Sequence, residues 1–255
     1  MKRIALVTGA TAGIGRATAQ LLAQNQFDLI VTGRRADKLK ELEDELRQEH
    51  KTGVLSLNFD IRKNEEVARA IAQLPGPWQK IDVLINNAGL AAGLGPIHEG
   101  DLNDWEQMID TNIKGLLYIS RLITPGMVKR RSGHIVNIGS IAGKEAYENG
   151  NVYNATKFAV EGLTRGMRLD LVDYGIRVSA ICPGAVDTEF SLVRFRGDED
   201  RARKVYEGYH PLHAEDIADA VLYAVTRPPH VNINDMLIMP TAQASAAKLV
   251  RKPLS

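Results

Sequence analysis

The chain has 255 residues, 44% of them hydrophobic, and its 32 Lys and Arg balance 31 Asp and Glu to a formal charge of +1. That length suits one open α/β sheet covered by helices. Near-neutrality removes the electrostatic footprint of a nucleic-acid or anionic-membrane partner, and no run approaches the ~20 apolar residues of a membrane helix, so a soluble protein working on a small molecule is expected.

In chain order, basic Lys2-Arg3 before apolar Ile4 to Val7 has the polarity of a secretory leader. The apolar stretch ends at Thr8-Gly9, too short for one, and reads as a first strand over Ile4 to Thr8. A helix is expected over Gly15 to Asn25, then a strand over Leu29 to Thr32 and a charged helix over Asp37 to Gln48. A strand over Val54 to Phe59, a helix over Asn64 to Gln73 and a strand over Val83 to Ile85 follow. One long helix is predicted over Leu102 to Lys129, then a strand over His134 to Ile138 and a helix over Tyr153 to Tyr174. The chain closes with a strand over Val178 to Ile181, a helix over Ala214 to Val225 and a strand over Met236 to Met239. Asp37, Asn64 and Asn103 are expected N-caps, and Gly175 a helix stop.

Short, continuously apolar strands alternating with helices predict a doubly wound parallel sheet of about seven strands with helices on both faces. Without repeat or linker, residues 1–255 are expected to form one domain: a cofactor-binding part over 1–150, and a catalytic part with a substrate flap over 151–255. The charge-dense segment Arg194 to Arg201 lacks periodicity and is expected to be a mobile flap. The single cysteine, Cys182, lies in the apolar run Val178 to Cys182 and reads as a packing residue of a cytoplasmic protein.

Between the first strand and first helix lies Thr8-Gly9-Ala10-Thr11-Ala12-Gly13-Ile14-Gly15. Gly9 suits a sharp turn, Gly13 a close backbone approach to a pyrophosphate, and Gly15 tight packing of helix on strand. Free N–H groups at the helix start favour an anion. Taken alone, the triplet describes a tight turn equally well. After the second strand stands Gly33-Arg34-Arg35, with no carboxylate until Asp37. Guanidinium donors there suit a 2'-phosphate, so NADP is expected over NAD; two solvated loop arginines are the plainer alternative.

Ser140 ends an apolar run, and Tyr153 and Lys157 stand four apart, on one face of a helix. Bringing a phenol from a pKa of about 10 to neutrality requires ~4 kcal/mol, which an ammonium at about 4 Å supplies at an effective dielectric near 20, although burial opposes it. Ser140 would hold the substrate oxygen while Tyr153 exchanges its proton.

These residues, with Asn86-Asn87-Ala88-Gly89, Asn112 and Pro183-Gly184, resemble in order and spacing the short-chain dehydrogenase/reductase family across almost the whole chain. The resemblance implies a Rossmann-type fold, Ser140 and Tyr153 at the reacting oxygen, Lys157 also on the nicotinamide ribose, and Asn112 in a proton relay. It implies that Asp60 lies by the adenine, with Thr11, Ile14, Ile61, Asn87, Ala88 and Gly89 along the cofactor, and that Pro183, Gly184, Val186 and Thr188 lie by the nicotinamide. It further implies a homotetramer built partly from the helices beginning near Leu102 and Tyr153. Within the family, Ala88 to Ala91, Gly150 to Tyr153, Thr188 to Phe195 and His230 to Asn234 are similar to NADP-dependent 3-hydroxy acid dehydrogenases, which oxidise serine and allo-threonine and reduce malonic semialdehyde. Arg194 is then the candidate for a substrate carboxylate, against a reading in which it is solvated or paired with Glu189; Lys144 is a second candidate.

Other chemistries are set aside. Ile138-Gly139-Ser140-Ile141-Ala142 lacks the flanking glycines of a nucleophile elbow. His210 and His213 flank Pro211-Leu212 and read as solvated or capping residues, so no metal is expected. Trp78 and Trp105 read as packing residues. Alternatives left open are a reductase of neutral ketones and aldehydes, and a protein that binds NADPH without turnover.

Overall fold

The computed structural model describes residues 2–252, so Met1 and residues 253–255 of the expected 1–255 unit lie outside the described part. Strands β1 (Ile4–Val7), β2 (Asp28–Gly33), β3 (Val54–Asn58), β4 (Val83–Asn86), β5 (Gly133–Ile138), β6 (Ile176–Pro183) and β7 (Asp235–Ile238) form one sheet. All pairs are parallel and the order is β3-β2-β1-β4-β5-β6-β7.

Helices cover both faces because successive strand side chains point opposite ways. Ala5, Val7, Leu29 and Val31 pack in one core with Leu22 of α1 (Gly13–Gln24), Leu42 of α2 (Ala36–His50) and Val221 of the later helix Ala214–Thr226. Ile4, Leu6, Ile30 and Leu84 pack in the other with Val67 of α3 (Asn64–Ala72) and with helices Leu116–Arg130 and Asn151–Leu171. Such doubly buried strands need the near-continuous apolar runs seen in the sequence.

The long helix predicted over Leu102 to Lys129 is divided. It comprises α4 (Leu102–Ile109), a π-helical turn over Asp110–Gly115, and α5 (Leu116–Arg130). The turn buries Thr111 and Asn112, and Asn112 is pulled inward by hydrogen bonds to both the N–H and the carbonyl of Leu90. Single π turns of this kind mark functional positions in helices.

Helix starts also differ from expectation. Arg35 precedes α2 and leaves Asp37 in its first turn, Asn64 is the first residue of α3 after Lys63, and Asp101, not Asn103, caps α4 by accepting the Asn103 N–H at 2.9 Å. Asp37 still favours its helix there through the dipole. Helix α6 (Asn151–Leu171) ends through a 3-10 turn at Gly175, whose φ of +67° suits glycine. The expected flap carries two short helices, α7 (Phe190–Arg194) and α8 (Glu199–Lys204), the second capped by Asp198. Arg196 between them reaches Asp101 and Asp104, each at 2.9 Å, which fixes the segment against α4. Helix α9 (Ala214–Thr226) completes the set, and His213 caps it.

Candidate active site

Strand order reverses between β1 and β4, and a crevice of about 470 Å³ opens at their C-terminal ends. Gly9 turns the chain at φ +65° and Gly13 at φ +51°. Thr11, Gly13 and Ile14 line the crevice, and Gly15 lies behind it: a Cβ there would stand 2.4 Å from the Gly9 carbonyl oxygen. No side chain caps α1 among the described residues, so its first N–H groups are free for an anion. Thr8 Oγ1 accepts from the N–H groups of Asn87 and Ala88, and Asn87 Nδ2 donates back to the Thr8 carbonyl at 2.8 Å. This stitches the β1 and β4 tips and brings Asn87, Ala88 and Gly89 onto the floor. Glycine turn, free helix start and open trough fit a dinucleotide pyrophosphate.

At one end stand Arg34, Arg35, Asp60 and Ile61. Asp60 is held by Arg62 through paired contacts at 3.0 Å; although burial works against it, those bonds keep its carboxyl below the usual range. Arg35 donates to Thr11 and forms an ion pair with Glu189 at 3.0 Å. Arg34 has no hydrogen-bond or ion-pair partner among the described residues, which leaves donors for a phosphate.

At the other end Ser140, Tyr153 and Lys157 meet, opposite a wall formed by Pro183, Gly184, Val186 and Thr188. Residues on both sides of position 150 therefore build the one crevice. Ser140 Oγ accepts the Ala142 N–H at 3.1 Å and donates a long bond to the Pro183 carbonyl at 3.5 Å, which a better-placed acceptor in the crevice can replace. Tyr153 packs among Leu90, Ala91 and Met108, and its ring meets Phe190 at 5.6 Å between centroids. Burial raises the phenol above its ordinary pKa, while Arg194 and Ser140 oppose that shift. Burial also lowers the Lys157 ammonium, to about 8, and Lys157 Nζ donates to the Ile138 carbonyl at 3.0 Å.

Lys157 Nζ stands 5.9 Å from the centre of the Tyr153 ring, so a positive charge lies beside the phenol and favours its ionised form. Burial works the other way and favours the protonated phenol. Asn112 lies beneath the crevice rather than in its wall. Its Oδ1 and Lys157 Nζ face the same gap beside Gly89, where a Cβ would meet them at 3.3 and 3.9 Å.

Arg194 lines an adjoining pocket of about 150 Å³ that shares Tyr153 with the main crevice. Its guanidinium lies 5.3 Å from the Tyr153 ring centre; Nε donates to the Gly93 carbonyl at 3.2 Å and Nη2 to the Tyr147 hydroxyl. Glu189, its expected rival partner, is taken by Arg35. Lys144 is not available to a substrate, because it bridges Glu161 and Asp235. Those two acids lie with Cys182 in a cluster whose ligand atoms fall within 4.8 Å, and the Lys144 ammonium supplies the positive charge there. Burial pushes the Cys182 thiol up to about 11. Trp78 packs on the α3/α5 core and Trp105 beside Tyr153. Tyr147, Phe190 and Val193 were not singled out from sequence, because no motif spacing relates them to the catalytic trio.

A family model described as short chain dehydrogenase matches residues 3–197. The NADP-dependent 3-hydroxy acid dehydrogenase YdfG of Salmonella typhi is 48% identical over 250 residues, covering 98% of this chain and 99% of that protein. A probable NADP-dependent dehydrogenase of Haemophilus influenzae is 50% identical, covering 97% of each chain. Among solved structures, the closed form of serine dehydrogenase complexed with NADP+ superposes with a TM-score of 0.91 at 46% identity, covering 98% of this chain and 99% of that one.

Proposed function

The chain belongs to the short-chain dehydrogenase family, and on that premise we propose that it is an NADP-dependent oxidoreductase acting at the hydroxyl-bearing C3 of short 3-hydroxy acids. Serine, L-allo-threonine and 3-hydroxypropionate, the last giving malonic semialdehyde, are its substrates in this reading. The observation that carries the substrate class is Arg194. It is a partly buried cation over the Tyr153 ring, with Nη1 left without a partner among the described residues, and a guanidinium beside the proton donor suits a substrate that carries a carboxylate.

Ser140 donates to the substrate oxygen and orients it; Tyr153 as the phenol gives its proton to that oxygen in reduction, and in oxidation it starts as the phenolate, favoured by the Lys157 ammonium, and takes the hydroxyl proton. NADP, held by the crevice residues, would supply the hydride exchange and, when oxidised, a further positive charge. Lys157, anchored on the Ile138 carbonyl, adds positive charge beside the Tyr153 ring and would hold the nicotinamide ribose. Asn112 fixes the Leu90 loop and, across the space left by Gly89, continues the proton path from Lys157. Arg34 and Arg35 receive the 2'-phosphate, with Asp60 and Ile61 by the adenine.

The reading includes a cytoplasmic homotetramer. It is supported by Leu117, Phe158 and Leu169, apolar residues left exposed on α5 and α6, and by a lone cysteine kept as a buried thiol. A second reading, reduction of neutral ketones or aldehydes, draws on the apolar wall of Leu90, Phe190 and Val193. Arg194→Ala separates the two. We expect kcat/KM to fall about 10- to 100-fold more for 3-hydroxypropionate than for a neutral alcohol of equal length, the loss of a charge-assisted contact. An equal fall on both would favour the neutral-carbonyl reading.

A further inference from the structure

Arg35 opens α2 at the mouth of the crevice, and its fork is filled from within the protein. Nη2 and Nε donate to Thr11, the first at 3.1 Å and the second at 3.3 Å, and Nη1 meets Glu189 Oε2 at 3.0 Å. Glu189 immediately precedes α7, so the contact joins the cofactor side of the crevice to the segment that carries Arg194. Both side chains are about half exposed, 45% and 54%, and both line the crevice.

We propose that Glu189 is an internal competitor for the 2'-phosphate: its carboxylate holds Arg35 until the phosphate displaces it, and so moderates affinity for the phosphorylated cofactor alone. The inference rests on the reading of Arg35 as a 2'-phosphate receptor. An exposed carboxylate–guanidinium pair is weak and salt-screened, whereas a phosphate dianion takes the same fork bidentately with more charge. The exchange therefore runs forward only for a ligand that carries the phosphate. An unphosphorylated dinucleotide leaves the pair intact and gains nothing from Arg35. Once displaced, Glu189 no longer ties the base of α7 to α2, so arrival of the phosphate also frees the start of the Arg194 segment.

The test is calorimetric titration of the whole protein with 2',5'-ADP and with 5'-ADP, which need no turnover. Glu189→Gln, isosteric and exposed, is expected to tighten 2',5'-ADP binding about two- to five-fold and to leave 5'-ADP unchanged. The gain should vanish when Arg35→Gln is also present. Unchanged or weakened 2',5'-ADP binding in Glu189→Gln, with Arg35→Gln alone still costing 2',5'-ADP affinity, overturns this inference and leaves the receptor reading standing. If Arg35→Gln lowers affinity for both ligands equally or for neither, the receptor reading and this inference fall together.

Discussion

Tyr153→Phe is expected to lower kcat by about 10²- to 10⁴-fold, the range for loss of a positioned proton donor. NADPH affinity, read by fluorescence titration, should fall far less. Phenylalanine preserves the ring that packs on Phe190, Leu90 and Met108, so the crevice wall survives and only the exchangeable proton is removed. The neutral state imposed by burial makes the tyrosine a donor in the reductive direction. Turnover within a few-fold of wild type would show that another group, Ser140 or a water, moves the proton.

Lys157→Met is expected to abolish most turnover and at the same time to stabilise the fold. Burial lowers the ammonium from 10.5 to about 8, a cost to folding of about 3 kcal/mol. The folded state binds the proton less tightly than the unfolded chain, so the cost is fully present below pH 8 and disappears as pH rises through 10.5. Methionine keeps the stem and leaves the Ile138 carbonyl without its donor, which returns ~1 kcal/mol. The net gain of about 2 kcal/mol at pH 7 corresponds to a Tm rise of about 5 °C, shrinking in alkaline buffer. A lower Tm at pH 7 would mean that the ammonium stabilises the protein and that its burial is not the dominant effect.

The architecture was legible in the sequence because doubly buried parallel strands need continuous apolar runs, and each of the seven runs became a strand within two residues of its expected limits. The crevice residues were legible through motif order. Local geometry set by tertiary contact was not. The π turn at Asp110–Gly115 exists because Asn112 bonds to Leu90, twenty-two residues away in the chain, and no helical periodicity encodes that bond. Lys144 passed as a substrate cation because its partners, Glu161 and Asp235, come from a later helix and the last strand. The two short helices in the expected flap had no helical periodicity to announce them, and the contact of Arg196 with Asp101 and Asp104 joins residues more than ninety positions apart. The alternative pairing of Arg194 with Glu189 is not formed, because Arg194 bonds Tyr147 and the Gly93 carbonyl while Arg35 takes Glu189.

The central claim is that Tyr153 exchanges its proton with an alcohol oxygen in a crevice that holds NADP, on a substrate whose carboxylate Arg194 meets. Initial rates of nicotinamide reduction by the wild-type protein, with L-serine, L-allo-threonine and 3-hydroxypropionate, each with NADP+ and with NAD+, test it most directly. The account predicts turnover of these acids with NADP+ and a much lower rate with NAD+. Binding of NADPH with no turnover of any acid, or equal rates with both cofactors, would contradict it.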